Sequence, residues 1–372
     1  MKCAIFIYCV TPHWVPLCDE MLRKLGQDEC KVIYLNEISC GRVRIGWNVE
    51  SARRFYKYSQ ISDQARLWLE TTDNLLCEVR DADLFIRRSK KGLKTFYTSE
   101  RWFKPFLGMA RLLHPRFLRV ALKIGRLLNR DSNFTYLPVG VHAAEDIFRL
   151  MKVLSGDITY LFRRKSLAFE AKPGGIVVET PKMRMWAYYV SPANNQSRVV
   201  HQTGGLENCG ARKILWIGRL LKLKRVDDLI RAVKCLNGNA PPKFTLDVFG
   251  EGPEYCRLSA LATGLPYVSF HKPIPNEEAR RLMSAYDIYV LSSNSKEGWG
   301  AVVSEALEEG MVVFGTKEAG ASATQLPIDR LYPSGDIDAL CRLLLSGRSC
   351  TPTGIGAWRP AVAAGWLINE MR

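Results

Sequence analysis

The segment that decides the fold, residues 293–309, has the sequence SNSKEGWGAVVSEALEE. Continuous apolar runs flank it at residues 288–291 and 311–314, and such runs are typical of buried parallel strands. We therefore predict a strand, a loop that contains glycine, a helix and a second strand. A loop of this kind directs backbone N–H groups and the positive end of a helix dipole at one point, which suits a phosphate or diphosphate.

Two carboxylates lie on either side of this predicted anion site. Glu297 lies in the loop, and Glu305 lies one turn inside the helix. An ionised carboxylate accepts hydrogen bonds and cannot donate them. An anion site flanked by such acceptors suits a ligand that carries both phosphates and hydroxyls, such as a sugar nucleotide.

The same segment resembles the paired-glutamate signature of family-four retaining glycosyltransferases, which have the GT-B fold. Glu297 and Glu305 have seven residues between them. Three segments that precede them in the sequence also occur in the family's order: ILWIGRLLKLKRVDDLIRAV, LDVFGEGPE and AYDIYVLSS. The resemblance is dense over residues 214–345 and thin in the first half. It implies an α/β protein with two Rossmann-like parallel-sheet domains that face a cleft, similar to bacterial enzymes that make lipopolysaccharide and exopolysaccharide.

The length and composition agree with two domains. The chain has 372 residues, 47% of them hydrophobic, which is enough for two cores. We predict an N-terminal acceptor-binding domain at residues 1–195 and a nucleotide-sugar-binding domain at residues 196–350. Residues 191–197, SPANNQS, are the predicted linker. In GT-B enzymes the final helix usually crosses back to the first domain, and we expect this of residues 351–372.

Other features favour a cytoplasmic protein. The apolar runs are shorter than the roughly 20 residues that span a bilayer, and we predict that residues 4–10 form a strand and not a signal peptide. The 11 cysteines form no C-x-x-C pair, which favours a reduced protein and argues against a zinc site.

The basic excess of the chain belongs to its first half. Residues 1–195 contain 32 basic and 19 acidic side chains, whereas residues 196–372 contain 21 and 18. The partners of such a surface could be nucleic acid, an anionic membrane or an acidic acceptor.

An amphipathic helix predicted near residues 116–130 carries part of that charge. Its basic stripe consists of Arg116, Arg119, Lys123, Arg126 and Arg130. One interpretation is a helix that packs on its own sheet and exposes a solvated basic face. The other is a segment that contacts anionic lipid, because Trp102, Phe103 and Phe106 accompany the basic residues. Similar enzymes that build lipopolysaccharide cores carry a basic, aromatic segment in the acceptor domain, so we expect a lipid-linked or glycan acceptor at the inner face of the cell membrane.

The donor-binding residues follow from the strand-end loops and from the resemblance. Gly218 permits a sharp turn at the carboxyl end of a predicted strand, where open α/β sheets bind ligands. Arg219 and Lys224 follow, and the family uses the matching Arg and Lys on the donor's diphosphate. A basic surface loop is the structural alternative, since Lys222 and Arg225 are also charged.

The resemblance also assigns roles to the signature. It implies that Glu305 accepts hydrogen bonds from the ribose hydroxyls, that Glu297 contacts the transferred sugar, and that the N–H groups of Gly298, Trp299, Gly300 and Ala301 hold phosphate oxygens. The expected catalytic residues are Arg219, Lys224 and Glu297. We expect Glu308 and Glu309 to be solvated helix residues. Because two cations and a helix end can stabilise the departing diphosphate, we expect no metal or other cofactor.

The acceptor side is less clear from the sequence. Family members often have histidine in a Thr-x-His setting near the reacting sugar, but the similar place here is Thr98-Ser99-Glu100, so Glu100 stands where histidine is usual. His13 and His142 each follow a predicted strand and are further candidates for contact with the acceptor, although a lone histidine is more often structural.

Two other functions remain open at this point. Nucleotide-sugar 2-epimerases also have two such domains, but they lack this set of Arg219, Lys224, Glu297 and Glu305. A basic nucleic-acid-binding protein would explain the charge of the first half. No recognised nucleic-acid motif is present, and we expect no nucleic-acid partner.

Overall fold

The computed structural model of the chain describes residues 1–39, 43, 53–103, 108–161, 182–191, 210–238, 241–346 and 358–372. Its contacts divide the chain into two compact units. The first unit holds the described residues up to Ser191 together with the C-terminal residues 358–372, and the second holds residues 210–346. Of the predicted linker, residues 191–197, the structure describes Ser191, and the rest lies outside the described residues.

A six-stranded parallel sheet forms the centre of the first unit. Its strands are β1 (Cys3–Cys9), β2 (Cys30–Asn36), β3 (Tyr56–Lys57), β4 (Asn74–Cys77), β5 (Lys94–Ser99) and β6 (Phe134–Pro138). The strand order is β3-β2-β1-β4-β5-β6. Because Ile5 of β1 pairs with Val32 on one side and Leu76 on the other, β1 is an interior strand. Every residue of β1 except Tyr8 is buried, which explains its continuous apolar sequence.

The helices of the first unit alternate with these strands. Those before Ser191 are α1 (Val15–Leu25), α2 (Ser62–Thr71), α3 (Ala82–Lys90), α4 (Pro115–Arg130) and α5 (Val141–Leu154). The sequence analysis missed α3, whose charged sequence ADLFIRRSK hides its apolar face. Asp81 begins this helix, since its carboxylate accepts a hydrogen bond from Leu84 N–H at 2.9 Å. Arg88 is fully buried and donates to the carbonyls of Leu69 and Lys94, both at 2.7 Å.

The predicted amphipathic helix is present as α4, and its apolar face packs inward. Ala121, Ile124 and Leu128 are buried, while the basic residues Arg116, Arg119, Arg126 and Arg130 are exposed. The aromatic part of the membrane interpretation is wrong for two residues. Trp102 and Phe103 are 0% and 4% exposed, because both pack against Phe117 of α4. Phe106 lies outside the described residues. Among the described helices, none combines the length and the apolar character that crossing a bilayer requires.

Residues 182–190 extend the first sheet beyond β6. Tyr136 and Val139 pair in parallel with Met183 and Trp186. Tyr136 N–H donates to Lys182 O at 2.8 Å, and Trp186 N–H donates to Pro138 O at 2.8 Å. Residues 182–190 therefore lie against the edge of the first sheet.

A second six-stranded parallel sheet forms the centre of the second unit. Its strands are β7 (Arg212–Ile217), β8 (Phe244–Phe249), β9 (Val268–His271), β10 (Ile288–Leu291), β11 (Val312–Thr316) and β12 (Leu331–Tyr332). Their order is β12-β11-β10-β7-β8-β9, so the strands on either side of the 293–309 segment, β10 and β11, are neighbours. The helices are α6 (Val226–Asn237), α7 (Tyr255–Leu261), α8 (Asn276–Met283), α9 (Val302–Glu308), α10 (Gly320–Gln325) and α11 (Ile337–Leu345).

The C-terminal helix α12 (Pro360–Met371) belongs to the first unit and packs against α1. Its Trp366 ring contacts the rings of Phe96 and Trp186, with centroids 6.1 and 6.2 Å apart. Lys94 Nζ donates to Glu370 O at 2.7 Å. The chain thus returns to its first unit after it has completed the second.

Candidate functional site

Two strand-end loops of the second unit meet at the predicted donor site. One follows β7 and contains residues 218–224, and the other follows β10 and contains residues 292–297. Ser292 Oγ donates to Lys224 O at 2.7 Å, and Asn294 N–H donates to Leu223 O at 2.8 Å. Because parallel strands end at the same edge of a sheet, these hydrogen bonds hold the two loops together where an open α/β sheet binds ligands.

Lys224 and Glu297 form an ion pair between these loops. Lys224 Nζ contacts Glu297 Oε2, which also accepts a hydrogen bond from Ser293 Oγ at 2.8 Å. Burial favours the neutral carboxyl, but the charge and hydrogen bond of Lys224 outweigh it, with help from Ser293 and from Gly298 N–H. The pKa of Glu297 is therefore lowered. The side chain of Glu297 is therefore held by Lys224 and Ser293 and does not extend freely from the tip of the loop.

The two other cations of the first loop have different environments. Arg219 and Lys222 are both exposed, and neither has a carboxylate partner among the residues that the structure describes. Arg225, by contrast, pairs with Asp228 through two contacts of 2.5 and 2.6 Å. Of the neighbouring cations, Lys224 contacts the signature glutamate, while Arg219 is free to bind an anion.

Glycine is required where a third loop packs against the first. The segment Gly250-Glu251-Gly252-Pro253 follows β8. A Cβ at Gly250 would lie 1.9 Å from Gly218 O. Leu220 N–H also donates to Glu251 O at 2.8 Å. This turn therefore supports the loop that contains Arg219 and Lys224.

The glycine loop before α9 has its own steric requirement. Gly300 has φ +90°, and a Cβ there would lie 2.6 Å from Leu291 Cδ2. Trp299 is 2% exposed, and its carbonyl accepts a hydrogen bond from Ala321 N–H at 2.8 Å. Within the described residues, the N–H groups of Gly300 and Ala301 donate to no protein acceptor. They lie at the start of α9, where the helix dipole favours an anion.

Glu305 is buried and has a partner that the sequence analysis did not identify. It is 4% exposed, and Asn276 Nδ2, at the start of α8, donates to its Oε1 at 2.8 Å. Burial raises the pKa of Glu305, although the hydrogen bond from Asn276 and the charge of Arg280 oppose that change. The Asn276 signal in the sequence is weak, since asparagine is also common at helix starts.

The prediction that Glu308 and Glu309 are solvated is wrong. Glu308 is 5% exposed, because α9 is buried over most of its length between neighbouring elements. Glu309 Oε1 lies 2.5 Å from Arg280 Nη2 in an ion pair. Arg280 belongs to α8, so this ion pair and the Asn276–Glu305 hydrogen bond both join α8 to the α9 segment.

In the first unit, Tyr188 joins two of the predicted acceptor-side residues. Its ring stacks on His13 with centroids 5.8 Å apart, and its hydroxyl donates to Glu100 Oε1 at 3.1 Å. Burial raises the pKa of Tyr188 well above its usual value, and the negative charge of Glu100 adds to this effect. The sequence analysis did not identify Tyr188, because residues 186–190, WAYYV, form an apolar stretch.

His142, the third acceptor-side candidate, has a different carboxylate neighbour. Its Nδ1 lies 4.0 Å from Glu145 Oε2, and Glu145 Oε1 lies 2.6 Å from Arg149 Nη2. These residues belong to α5. His13 and Glu100 therefore both contact Tyr188, whereas His142 lies beside Glu145 of its own helix.

Acidic side chains of the described residues form no group that resembles a metal site. Among those residues, no cluster of three or more His, Cys, Asp or Glu side chains is placed to hold a metal ion. Three aspartates of the sequences Asp81-Ala82-Asp83 and Asp336-Ile337-Asp338 have structural roles. Asp81 and Asp336 each begin a helix through a carboxylate–backbone hydrogen bond, and Asp83 pairs with Lys123.

Residues 204–342 match the family described as "Glycosyl transferases group 1". The chain is 32% identical over 97 residues to the UDP-N-acetylglucosamine–peptide N-acetylglucosaminyltransferase GtfA subunit of Streptococcus parasanguinis; the match covers 26% of this chain and 19% of that protein. The chain thus spans about a fifth of the length of the curated relatives it matches.

Solved structures show the same fold over the whole chain. Anabaena Alr3699/HepE in complex with UDP superposes with a TM-score of 0.59 at 15% identity, covering 100% of this chain and 99% of that one. WaaG, a glycosyltransferase involved in lipopolysaccharide biosynthesis, superposes with a TM-score of 0.53 at 14% identity, covering 97% and 94%. The predicted fold class, an α/β protein with two Rossmann-like domains of the GT-B type, is confirmed.

Proposed function

We propose that residues 204–342, which match the glycosyl transferases group 1 family, form the donor-binding part of a glycosyltransferase in a chain with the GT-B fold. From that premise we propose that the protein moves a sugar from a nucleotide-diphosphate sugar to an acceptor hydroxyl, with retention of the anomeric configuration. The observation that carries the proposal is the ion pair between Lys224 and Glu297, which joins two strand-end loops of the second unit immediately before α9.

The charge around this ion pair matches the main requirement of the reaction. Sugar transfer leaves negative charge on the departing diphosphate, and fixed donors in the site must stabilise it. Arg219 is exposed and has no carboxylate partner among the described residues. We propose that it binds the diphosphate through two parallel N–H donors of its guanidinium group. Lys224 and the N–H groups of Gly300 and Ala301 would complete the anion site. These charges replace those of a metal ion, so we expect metal-independent turnover.

The pKa values of the two glutamates are shifted in opposite directions, which suits different roles. The lowered pKa of Glu297 keeps it ionised, so we propose that it accepts hydrogen bonds from hydroxyls of the transferred sugar. Glu305 is buried beside Asn276, which orients its carboxyl. We propose that Glu305 accepts hydrogen bonds from the ribose hydroxyls, because donors from the nucleotide would stabilise its charged form against burial.

We propose that the configuration is retained by same-face attack, without a protein nucleophile. Glu297 Oε2 is already bound to Lys224 and Ser293, so we assign Glu297 to sugar binding and not to nucleophilic attack. In the proposed step the bond from the anomeric carbon to the diphosphate breaks, and the acceptor oxygen bonds to the same face of that carbon. The acceptor proton passes to the departing diphosphate oxygen, so no external base is needed. The group of His13, Tyr188 and Glu100 would orient the acceptor.

We propose that the acceptor is a glycan or lipid-linked glycan of the bacterial cell surface, reached from the cytoplasmic face of the membrane. WaaG, which shares the fold, is described as an enzyme of lipopolysaccharide biosynthesis. In this chain, Leu113 and Leu118 are 85% and 37% exposed beside Arg116 and Arg119. Apolar side chains next to exposed cations are suited to peripheral contact with anionic lipid.

A nucleotide panel tests the donor proposal. Thermal unfolding would be measured with UDP, GDP, ADP, dTDP and CMP, with and without Mg²⁺. A ligand that binds the folded state alone stabilises it by about 2.7 kcal/mol at a hundredfold excess over its Kd. We expect one diphosphate to raise the unfolding temperature without Mg²⁺, and Arg219→Ala to remove that rise. Equal stabilisation of wild type and Arg219→Ala would contradict the proposed role of Arg219.

A further inference from the structure

A charged cavity lies in the first unit. It has a volume of about 930 Å³ and is lined by residues of α2, α3 and α4, by Phe6 of β1, and by the segment after β4. The basic side chains that line it are Arg66, Arg80, Arg87, Arg116, Arg119 and Lys123. We call this cavity the arginine pocket. Its size is in the range of small-molecule sites, which is roughly 300–1,000 Å³.

The acidic side chains that line the arginine pocket are already engaged. Glu70 Oε1 lies 3.0 Å from Arg87 Nε, and Asp83 pairs with Lys123. Asp81 accepts the hydrogen bond that begins α3. Glu70 and Asp83 are therefore the lining carboxylates that form ion pairs, with Arg87 and Lys123.

Three arginines of the pocket remain without a counter-charge. Arg66, Arg116 and Arg119 have no carboxylate within 4.0 Å among the residues that the structure describes. All three side chains are exposed. Arg80, in contrast, donates to Tyr97 Oη at 3.1 Å and lies 4.5 Å above the Trp102 ring, so its guanidinium is held in place.

The positive charge of the pocket is concentrated on one helix face. Arg119 lies three residues after Arg116 and four before Lys123, and like charges at these spacings repel along a helix. The pKa of Asp83 is lowered by its hydrogen bond to Lys123 and further by the charges of Arg87 and Arg119. A bound anion would relieve this repulsion, which Asp83 offsets only in part.

Apolar side chains form the rest of the lining. Phe6, Leu69, Val79 and Val120 face the same cavity as the arginines. A bare inorganic anion would leave this surface unused. A ligand with a phosphate at one end and an organic body at the other would use both parts of the pocket.

We propose that the arginine pocket binds the phosphate group of an organic phosphate, with Arg66 from α2 and Arg116 and Arg119 from α4 as its ligands. Guanidinium groups bind phosphate oxygens through paired N–H donors, and three of them from two helices can surround one phosphate. The ligand is a soluble phosphate ester or the headgroup of a phospholipid, which share this chemistry. The site belongs to the first unit and does not depend on sugar transfer.

A matched pair of double variants tests the proposal. Arg66→Gln with Arg119→Gln removes two charges from the pocket, and Arg126→Gln with Arg130→Gln removes two exposed charges from α4 outside the pocket lining. Binding of glycerol 3-phosphate would be measured by calorimetry, and binding to phosphatidylcholine vesicles with and without phosphatidylglycerol by flotation. The single variant Arg66→Gln, which is not on α4, serves as a second pocket variant. Unfolding temperatures establish that each variant is folded.

We expect the pocket variants to weaken binding at least about tenfold in one of the two assays, while the Arg126/Arg130 variant binds like wild type or loses clearly less. If the pocket variants lose binding of glycerol 3-phosphate, a soluble phosphate ester is sufficient as the ligand of the arginine pocket. Loss confined to phosphatidylglycerol vesicles identifies a lipid headgroup. If neither probe binds wild type, or if both double variants are weakened equally in every assay that shows binding, the proposal is wrong. Any weak binding of glycerol 3-phosphate at the donor loops is common to all these variants and does not affect the comparison.

Discussion

Lys224 Nζ and Glu297 Oε2 form an ion pair that joins the loop after β7 to the loop after β10. Both side chains are largely buried, at 19% and 13% exposure. Ser293 and the hydrogen bonds between the loops hold the two groups in place. Groups fixed in this way need little reorganisation to stabilise charge on a bound donor.

The ion pair predicts a pH dependence of stability. The folded pKa of Glu297 lies below its unfolded value of about 4.3. Its stabilising contribution is therefore complete above the unfolded pKa and is lost as the pH falls through the folded pKa. Urea unfolding of wild type and Glu297→Gln from pH 7 to pH 3 would measure this. We expect the stability difference to be constant near neutral pH and to shrink below about pH 4. Parallel curves over the whole range would contradict the assignment.

The raised pKa of Glu305 predicts a pH dependence of stability opposite to that of Glu297. This raised pKa means that the folded state favours the protonated carboxyl, so stability is lost as the pH rises from the unfolded value toward the folded one. Glu305→Gln should therefore raise the unfolding temperature of the unliganded protein at pH 7. It should also weaken nucleotide binding about tenfold or more, because an amide nitrogen cannot accept hydrogen bonds from ribose.

A second variant, Asn276→Ala, tests the same contact from the other side, because it removes the donor to Glu305 Oε1. We expect it to lower both stability and nucleotide affinity, since the buried carboxyl loses its hydrogen bond. If Glu305→Gln binds nucleotide as wild type does, Glu305 is a structural residue and the ribose assignment is wrong.

Gly250 predicts a backbone effect on the donor loops. A Cβ at Gly250 would lie 1.9 Å from Gly218 O, so Gly250→Ala must displace one of the two loops. We expect a loss of about 2 kcal/mol in unfolding free energy together with weaker nucleotide binding. Gly210→Ala is the control, because a Cβ there meets nothing within 4 Å. Similar stability for both variants in urea unfolding would show that the loops accommodate the added methyl group.

Much of the second unit was predictable from the sequence because its strands are continuous apolar runs between glycine turns. The predicted strand at residues 288–291 has the bounds that the structure shows. Contacts between elements distant in sequence were not predictable. Asn276 meets Glu305 across 29 positions, and Tyr188 meets Glu100 across 88. Helix α3 was missed because a buried arginine, Arg88, resembles a surface residue in sequence.

Tyr188 predicts an effect limited to the acceptor. Tyr188→Phe removes the hydroxyl that donates to Glu100 while it retains the ring stacked on His13. We expect a higher KM for the acceptor, or a lower kcat, with unchanged nucleotide affinity by calorimetry. Loss of nucleotide affinity in this variant, with a normal unfolding temperature, would contradict the assignment of the group to the acceptor.

The most direct test of the central claim is donor turnover in Arg219→Ala, compared with Lys222→Ala. Both side chains are exposed cations of the same loop, so the two variants remove equal charge from neighbouring positions. Release of nucleoside diphosphate from the donor would be measured at saturating acceptor, with unfolding temperature as the test of folding. We predict that Arg219→Ala loses about a hundredfold or more in kcat and that Lys222→Ala retains wild-type turnover. Wild-type turnover in Arg219→Ala would contradict the proposal that this cation stabilises the departing diphosphate.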